Sequence, residues 1–162
     1  MEALLVWLEG STLGLTMRSS GVWTYGVVNL AHILSVATLF GSLLVLDLRL
    51  LGAWRDVPLA ALERPTVPLA VFGFVGAALS GVCLITTNAT EYLGNPFVPI
   101  KFAAIALGLL NVLALQWLPA WKARRVAAVL PSRAQAQLAV AGGASLVCWL
   151  TAVAAGRMIG YW

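Results

Sequence analysis

The chain is poor in charge. Of its 162 residues, 10% are charged and 61% are hydrophobic. Water-soluble domains carry about a quarter charged residues, and so few cannot clothe a water-facing surface. The surroundings of most of this chain must therefore be lipid. Cysteine is scarce too. Cys83 and Cys148 lie singly in apolar stretches with no Cys-x-x-Cys or Cys/His cluster, which leaves no basis for a disulfide framework or a zinc site. There is one histidine, so a bis-histidine haem within one chain is excluded. Phosphate-binding glycine loops, His-Glu-x-x-His and Ser/His/Asp sets are all missing. These absences argue against an enzyme acting alone. The formal charge of +4 does not imply nucleic acid, because the basic residues fall where membrane topology needs them.

Four apolar segments are long enough to cross a bilayer, which takes about 20 residues: Val22 to Leu51, Thr66 to Asn88, Phe97 to Leu118 and Ala134 to Met158. The first exceeds one span and must tilt or protrude. Pro58 and Pro65 are expected to close off helix in the first connection. Short connections imply an all-α, up-down four-helix bundle, one membrane domain over residues 1–162. Glu2–Ser20 is too short to span and lacks the basic start of a signal peptide. Leu4, Leu5, Trp7 and Leu8 predict a retained short helix lying in the outer interface.

Lys and Arg set the orientation. Arg49, Arg55, Arg64, Lys122, Arg124, Arg125 and Arg133 mark one side, and Arg18, Lys101 and Arg157 the other. The first group marks the cytoplasm. The expectation is an inner-membrane protein with both termini on the outer side, which is the periplasm if the organism is Gram-negative. The aromatic belts agree: Trp23, Tyr25, Tyr92, Tyr161 and Trp162 outside, Trp54, Trp117 and Trp121 inside.

Small residues line one side of three helices: Gly73, Gly76, Ala77 and Ser80 in the second; Ala104 and Gly108, in register with Lys101, in the third; Ala139, Gly142, Ser145, Ala152 and Gly156 in the fourth. Such faces suit close helix packing or a slot for a flat ligand such as a porphyrin. Polar residues inside the spans are costly and so are candidates for function. Asn29, His32 and Asp47 share one broad face of the first helix by wheel position, expected to point inward. His32 and Asp47 lie about 22 Å apart along the axis, so they belong to two layers. The outer layer gathers Asn29, His32, Thr86, Thr87, Asn88, Lys101 and Arg157. The inner one gathers Asp47, Arg49 and Gln116, with an ion pair expected between the first two. Asn111 falls between.

A neutral imidazole is a common metal ligand, and haem iron takes a proximal histidine. His32 is the candidate haem or metal ligand, with Lys101, Asn29 and Asn88 around it; Lys101 or Met158 could supply a second ligand. Hydrogen bonding within the bundle and proton relay are the other roles open to His32.

His32-Ile-Leu-Ser-Val-Ala-Thr-Leu-Phe-Gly41-Ser-Leu-Leu-Val-Leu-Asp47-Leu-Arg49-Leu-Leu-Gly52, Thr87-Asn88-Ala89-Thr90, Asn95-Pro96-Phe97 with Ile100-Lys101, and Gly108-Leu-Leu-Asn111 resemble an uncharacterised family of small bacterial membrane proteins. That family looks distantly like the membrane domain of copper-resistance protein D and related haem-binding bundles. The chain lacks their further histidines, and Gln116 stands near where one would be expected. The likeness implies a b-type-cytochrome-like subunit holding haem b through His32 and passing electrons to a partner membrane protein, or within a homo-oligomer. The alternatives are an accessory subunit of a larger membrane complex, and a small transporter or proton-relay protein using His32, Lys101 and Asp47.

Overall fold

The computed structural model describes residues 2–123 and 131–162. Arg124 and Arg125 of the orientation argument lie outside them. All regular structure among the described residues is helical: α1 Glu2–Glu9, α2 Thr12–Ser19, α3 Gly21–Leu51, α4 Leu59–Thr87, a 3-10 turn Ala89–Tyr92, α5 Phe97–Trp117, α6 Pro119–Ala123 and α7 Ser132–Ile159. Helices α3, α4, α5 and α7 are each long and apolar enough to cross a membrane. Large side chains such as Trp23, Phe72, Val140 and Val147 point outward, as lipid-facing surfaces require. The chain is thus built as a multi-pass membrane protein.

Glycine sets how closely α3 is approached. A Cβ on Gly73 of α4 would stand 2.5 Å from the backbone nitrogen of Leu39 and 2.7 Å from the carbonyl oxygen of Ser35. On α7, a Cβ at Gly142 would stand 2.8 Å from Leu50 Cβ and 3.0 Å from the Asp47 carbonyl oxygen. In lipid, helix association is driven by packing of this kind and not by release of apolar surface from water. The small-residue faces are therefore occupied by neighbouring helices. Gly108 of α5 meets the indole of Trp149, and Gly156 meets the aliphatic stem of Lys101.

The packing order is α4 on α3, α3 on α7 and α7 on α5. The consecutive helices α4 and α5 scarcely touch. Three sides of the four-helix ring are closed and the α4–α5 side is an open seam.

Four local expectations are corrected. Helix α4 begins at Leu59, not near Thr66, and runs through Pro65 and Pro68. Each proline strands the carbonyl four residues back, on Ala61 and Arg64. Those residues and both prolines are exposed, so the freed carbonyls have an open side and the helix need not break. Trp121 is not a belt residue: the chain bends at Leu118, and short α6 tucks Trp121 beneath the bundle against Leu46, Leu115, Leu138 and Ala141. The N-terminal segment forms two helices instead of one. Gly10 ends α1, and Ser11 caps α2 by accepting from the Gly14 amide at 3.2 Å. Gly14 then lies so close to the Thr86 carbonyl that a Cβ would stand 2.5 Å from it. Finally, Asp47 and Arg49 form no ion pair. Arg49 turns back to donate to the carbonyls of Val57 at 2.8 Å and Arg55 at 3.4 Å, closing the loop after α3.

Gly73→Ala should cost about 1–3 kcal/mol, because the added methyl meets backbone that no rotamer change can move. Gly41→Ala should cost nothing, since nothing lies within 4 Å of that position. Reversible unfolding in mixed micelles measures both, and equal stability of the two variants would refute the packing account.

Candidate functional site

The outer cluster expected around His32 is only partly assembled. His32 packs against α4, with Cε1 3.2 Å from where a Gly81 Cβ would stand. Its Nδ1 is 3.0 Å from Ser80 Oγ. Ser80 already donates its hydroxyl proton to the Gly76 carbonyl at 2.5 Å, so it accepts here and His32 Nδ1–H donates. The Ala77 carbonyl also accepts from the His32 ring. Lys101 lies along Gly156 with Nζ 3.4 Å from the Cβ position and is close enough to His32 for their charges to interact.

Asn29 and Asn88 do not join them: both are exposed. The close contacts of α3 with α7 fall between Leu39 and Leu51. Asn29 is on that side of α3 but about 15 Å beyond Leu39 along the axis, where α7 no longer covers it. Asn88 ends α4, and its carbonyl accepts from the Glu91 amide. Arg157 turns away to hydrogen-bond Tyr161 Oη and stack on that ring, 4.4 Å from its centroid.

Thr87 serves a latch that sequence reasoning missed. Arg18 donates to the Thr87 carbonyl and to the Glu9 carbonyl, each at 2.8 Å. Glu9 Oε2 accepts from the Thr90 amide at 2.8 Å and the Thr90 hydroxyl at 2.7 Å. These two bonds, amide first, hold the Glu9 carboxyl below the usual carboxylate range. The latch ties α1 and α2 to the end of α4. The bonds that reach Thr87 and Thr90 join partners more than sixty residues apart, and no local pattern announces them. Asn95 was similarly visible only as part of a motif. It is buried, accepts from the Phe97 amide at 3.0 Å to cap α5, and donates to the Ile159 carbonyl at 3.4 Å.

The inner layer is where the structure concentrates unsatisfied polarity. Asp47 is 3% exposed. The Ser145 hydroxyl faces its carboxylate, yet Oδ2 has no partner among the described residues. The Trp149 indole nitrogen is likewise buried and unpartnered. Native proteins leave few such groups, because each forfeits its hydration without return. Both residues border a cavity of about 580 Å³ reached through the α4–α5 seam. Its walls are mainly apolar, with Leu39, Leu43, Phe74 and Val112 among them, and Asn111 and Gln116 add amides. Asn111 also joins α5 to α7, donating to the Ala141 carbonyl at 3.0 Å. Glu63 and Lys122 stand on the lining nearest the Trp121 end. The sequence placed Asp47 and Gln116 at this depth and Asn111 between the two layers, but did not single out Trp149. The available signal was a single large aromatic in the small-residue register of Gly142, Ser145, Ala152 and Gly156.

Among the described residues no three His, Cys, Asp or Glu side chains gather as a metal site. No curated protein and no solved structure matches the chain. A family model matches residues 4–162, a stretch that takes in the latch, the seam and both polar layers. The chain belongs to the family of unknown function DUF6644.

Proposed function

We propose that this protein is a small inner-membrane transporter or proton-relay protein whose working group is Asp47. The distribution of Lys and Arg favours an orientation with both ends of the chain on the outer side, which puts Asp47 toward the cytoplasmic face. The observation that carries the reading is the carboxylate itself: enclosed by the bundle, on the wall of a cavity open at the seam, with one oxygen unpaired. A carboxyl in a spanning helix is costly, and such groups mark ion and proton pathways. A carboxyl with one oxygen left unpartnered can take up a proton there and release it.

Among the described residues, the charged groups near Asp47 are few. Arg49 on α3 is committed to the loop, while Glu63 on α4 and Lys122 on α6 stand on the cavity lining. From α5 and α7 the cavity receives neutral side chains only: Asn111, Gln116, Ser145 and Trp149 among them. Dicyclohexylcarbodiimide, an apolar reagent that modifies protonated carboxyls within membranes, provides the test. Mass spectrometry should find the adduct on Asp47, increasing as pH falls, and not at that position in Asp47→Asn. An unmodified Asp47 throughout would overturn the reading.

A b-type-cytochrome-like role, with haem b on His32 and electrons passed to a partner, is the second reading. It is favoured by the hold of Ser80 on His32 Nδ1, since ligating histidines commonly donate their other nitrogen to such a partner. It is also the role implied by the likeness to copper-resistance protein D. Protein purified with its native partners should then show a Soret band that His32→Ala removes; colourless, metal-free wild-type protein would dismiss it.

A further inference from the structure

We propose that the α4–α5 seam admits a lipophilic monocation, an ammonium ion bearing apolar groups, which binds at Asp47 in exchange for the carboxyl proton. The inference rests on Asp47 being the working carboxyl and names what competes with the proton there.

Three features of the cavity point to this chemistry. The first is charge: Asp47 is the buried ionisable group on its wall, and no cation of the described residues pairs with it. Arg49 is used elsewhere, and Lys122 is exposed. A ligand that neutralises the carboxylate removes the cost of burying it. The second is shape and polarity. About 580 Å³ falls within the roughly 300–1,000 Å³ range of small-molecule sites, and the mainly apolar walls suit a hydrocarbon body. Phe74 and Trp149 meet edge to face on that wall, with centroids 6.3 Å apart. Aromatic rings beside a carboxylate are a recognised environment for substituted ammonium ions. The third is access. Val71 on α4 is 57% exposed and Leu109 on α5 is 37% exposed, and both also line the cavity. They are the lips of an opening toward lipid, where a lipophilic cation concentrates.

The exchange balances without a further reactant. The carboxylic acid gives up one proton to water, the carboxylate forms an ion pair with the incoming cation, and no covalent bond to the ligand forms or breaks.

Tetraphenylphosphonium is the probe and tetraphenylborate its counterpart of similar size and opposite charge. Both are titrated against the full chain in nanodiscs. The phosphonium should bind saturably, about one per chain, with release of a proton into weakly buffered solution, and the borate should show no saturable binding. Asp47→Asn should weaken phosphonium binding at least tenfold. Val71→Trp, a substitution at an exposed lip that leaves the bundle interior untouched, should also weaken it, and it decides the matter if Asp47→Asn does not fold. Absence of saturable phosphonium binding, equal binding of the borate, or unchanged affinity in Val71→Trp would overturn the proposal. If carbodiimide labels Asp47 but the phosphonium does not bind, the proton-relay reading survives and the cation is wrong. If the phosphonium binds through Asp47 but carbodiimide finds no protonated carboxyl there, the proton-relay reading fails and the proposed exchange fails with it.

Discussion

Everything in this bundle depends on how closely two helices approach α3. Lipid gives apolar side chains no reason to prefer each other over acyl chains, so contact area must come from backbones brought together. Gly73 lets α4 rest on the backbone of Ser35 and Leu39, and Gly142 lets α7 rest on Asp47 and Leu50. With α3 held on these two sides and α5 held by α7 through the Gly108–Trp149 contact, no comparable glycine contact joins α4 to α5. The open seam follows from which faces carry small residues. It places a cavity beside the stretch of α3 that holds Asp47.

The carboxyl gains its character from that position. Close packing buries it, while Oδ2, on the side of the open seam, is left without a partner among the described residues. Glu9 shows the opposite arrangement in the same chain. Its carboxylate receives two hydrogen bonds from Thr90 and stands near Arg18, 3.9 Å from its guanidinium. A carboxylate so bonded is held ionised and can serve as a fixed clamp for the N-terminal helices. One acid is satisfied and structural; the other keeps one oxygen unpartnered among the described residues. His32 lies between these cases, bonded through its ring to Ser80 and the Ala77 backbone of α4.

The spans were legible in the sequence because their signal is long and compositional. Gly21–Leu51, Phe97–Trp117 and Ser132–Ile159 fall within a few residues of the hydropathy reading. What failed was local and depended on neighbours. Pro65 reads as a stop, but a proline on an exposed flank only frees a carbonyl. Asn29 shares a wheel face with His32, but a wheel does not reveal where α7 stops covering α3. Trp121 reads as an interfacial anchor until the bend at Leu118 turns it inward. Arg49 is two residues from Asp47, yet helical neighbours at that spacing point apart, and the loop carbonyls claim the guanidinium. For the candidate site, polarity and depth were readable for Asp47 and Gln116, while Asn111 was read as lying between the layers. The seam, Trp149 and the missing partner at Oδ2 depend on three-dimensional packing order, which sequential connection lengths do not fix.

The open seam is the claim on which the rest stands, and methyl NOE spectroscopy of the protein in nanodiscs examines it directly. Cross-peaks should link α3 to α4, as between Leu39 and Ala70 in their shared core cluster, and should link α5 to α7. Along the middle of α4 and α5, from Val71 toward Leu109, the account predicts cross-peaks to lipid acyl chains and none between the two helices. A continuous set of α4–α5 methyl contacts would show a closed ring of four helices and contradict it.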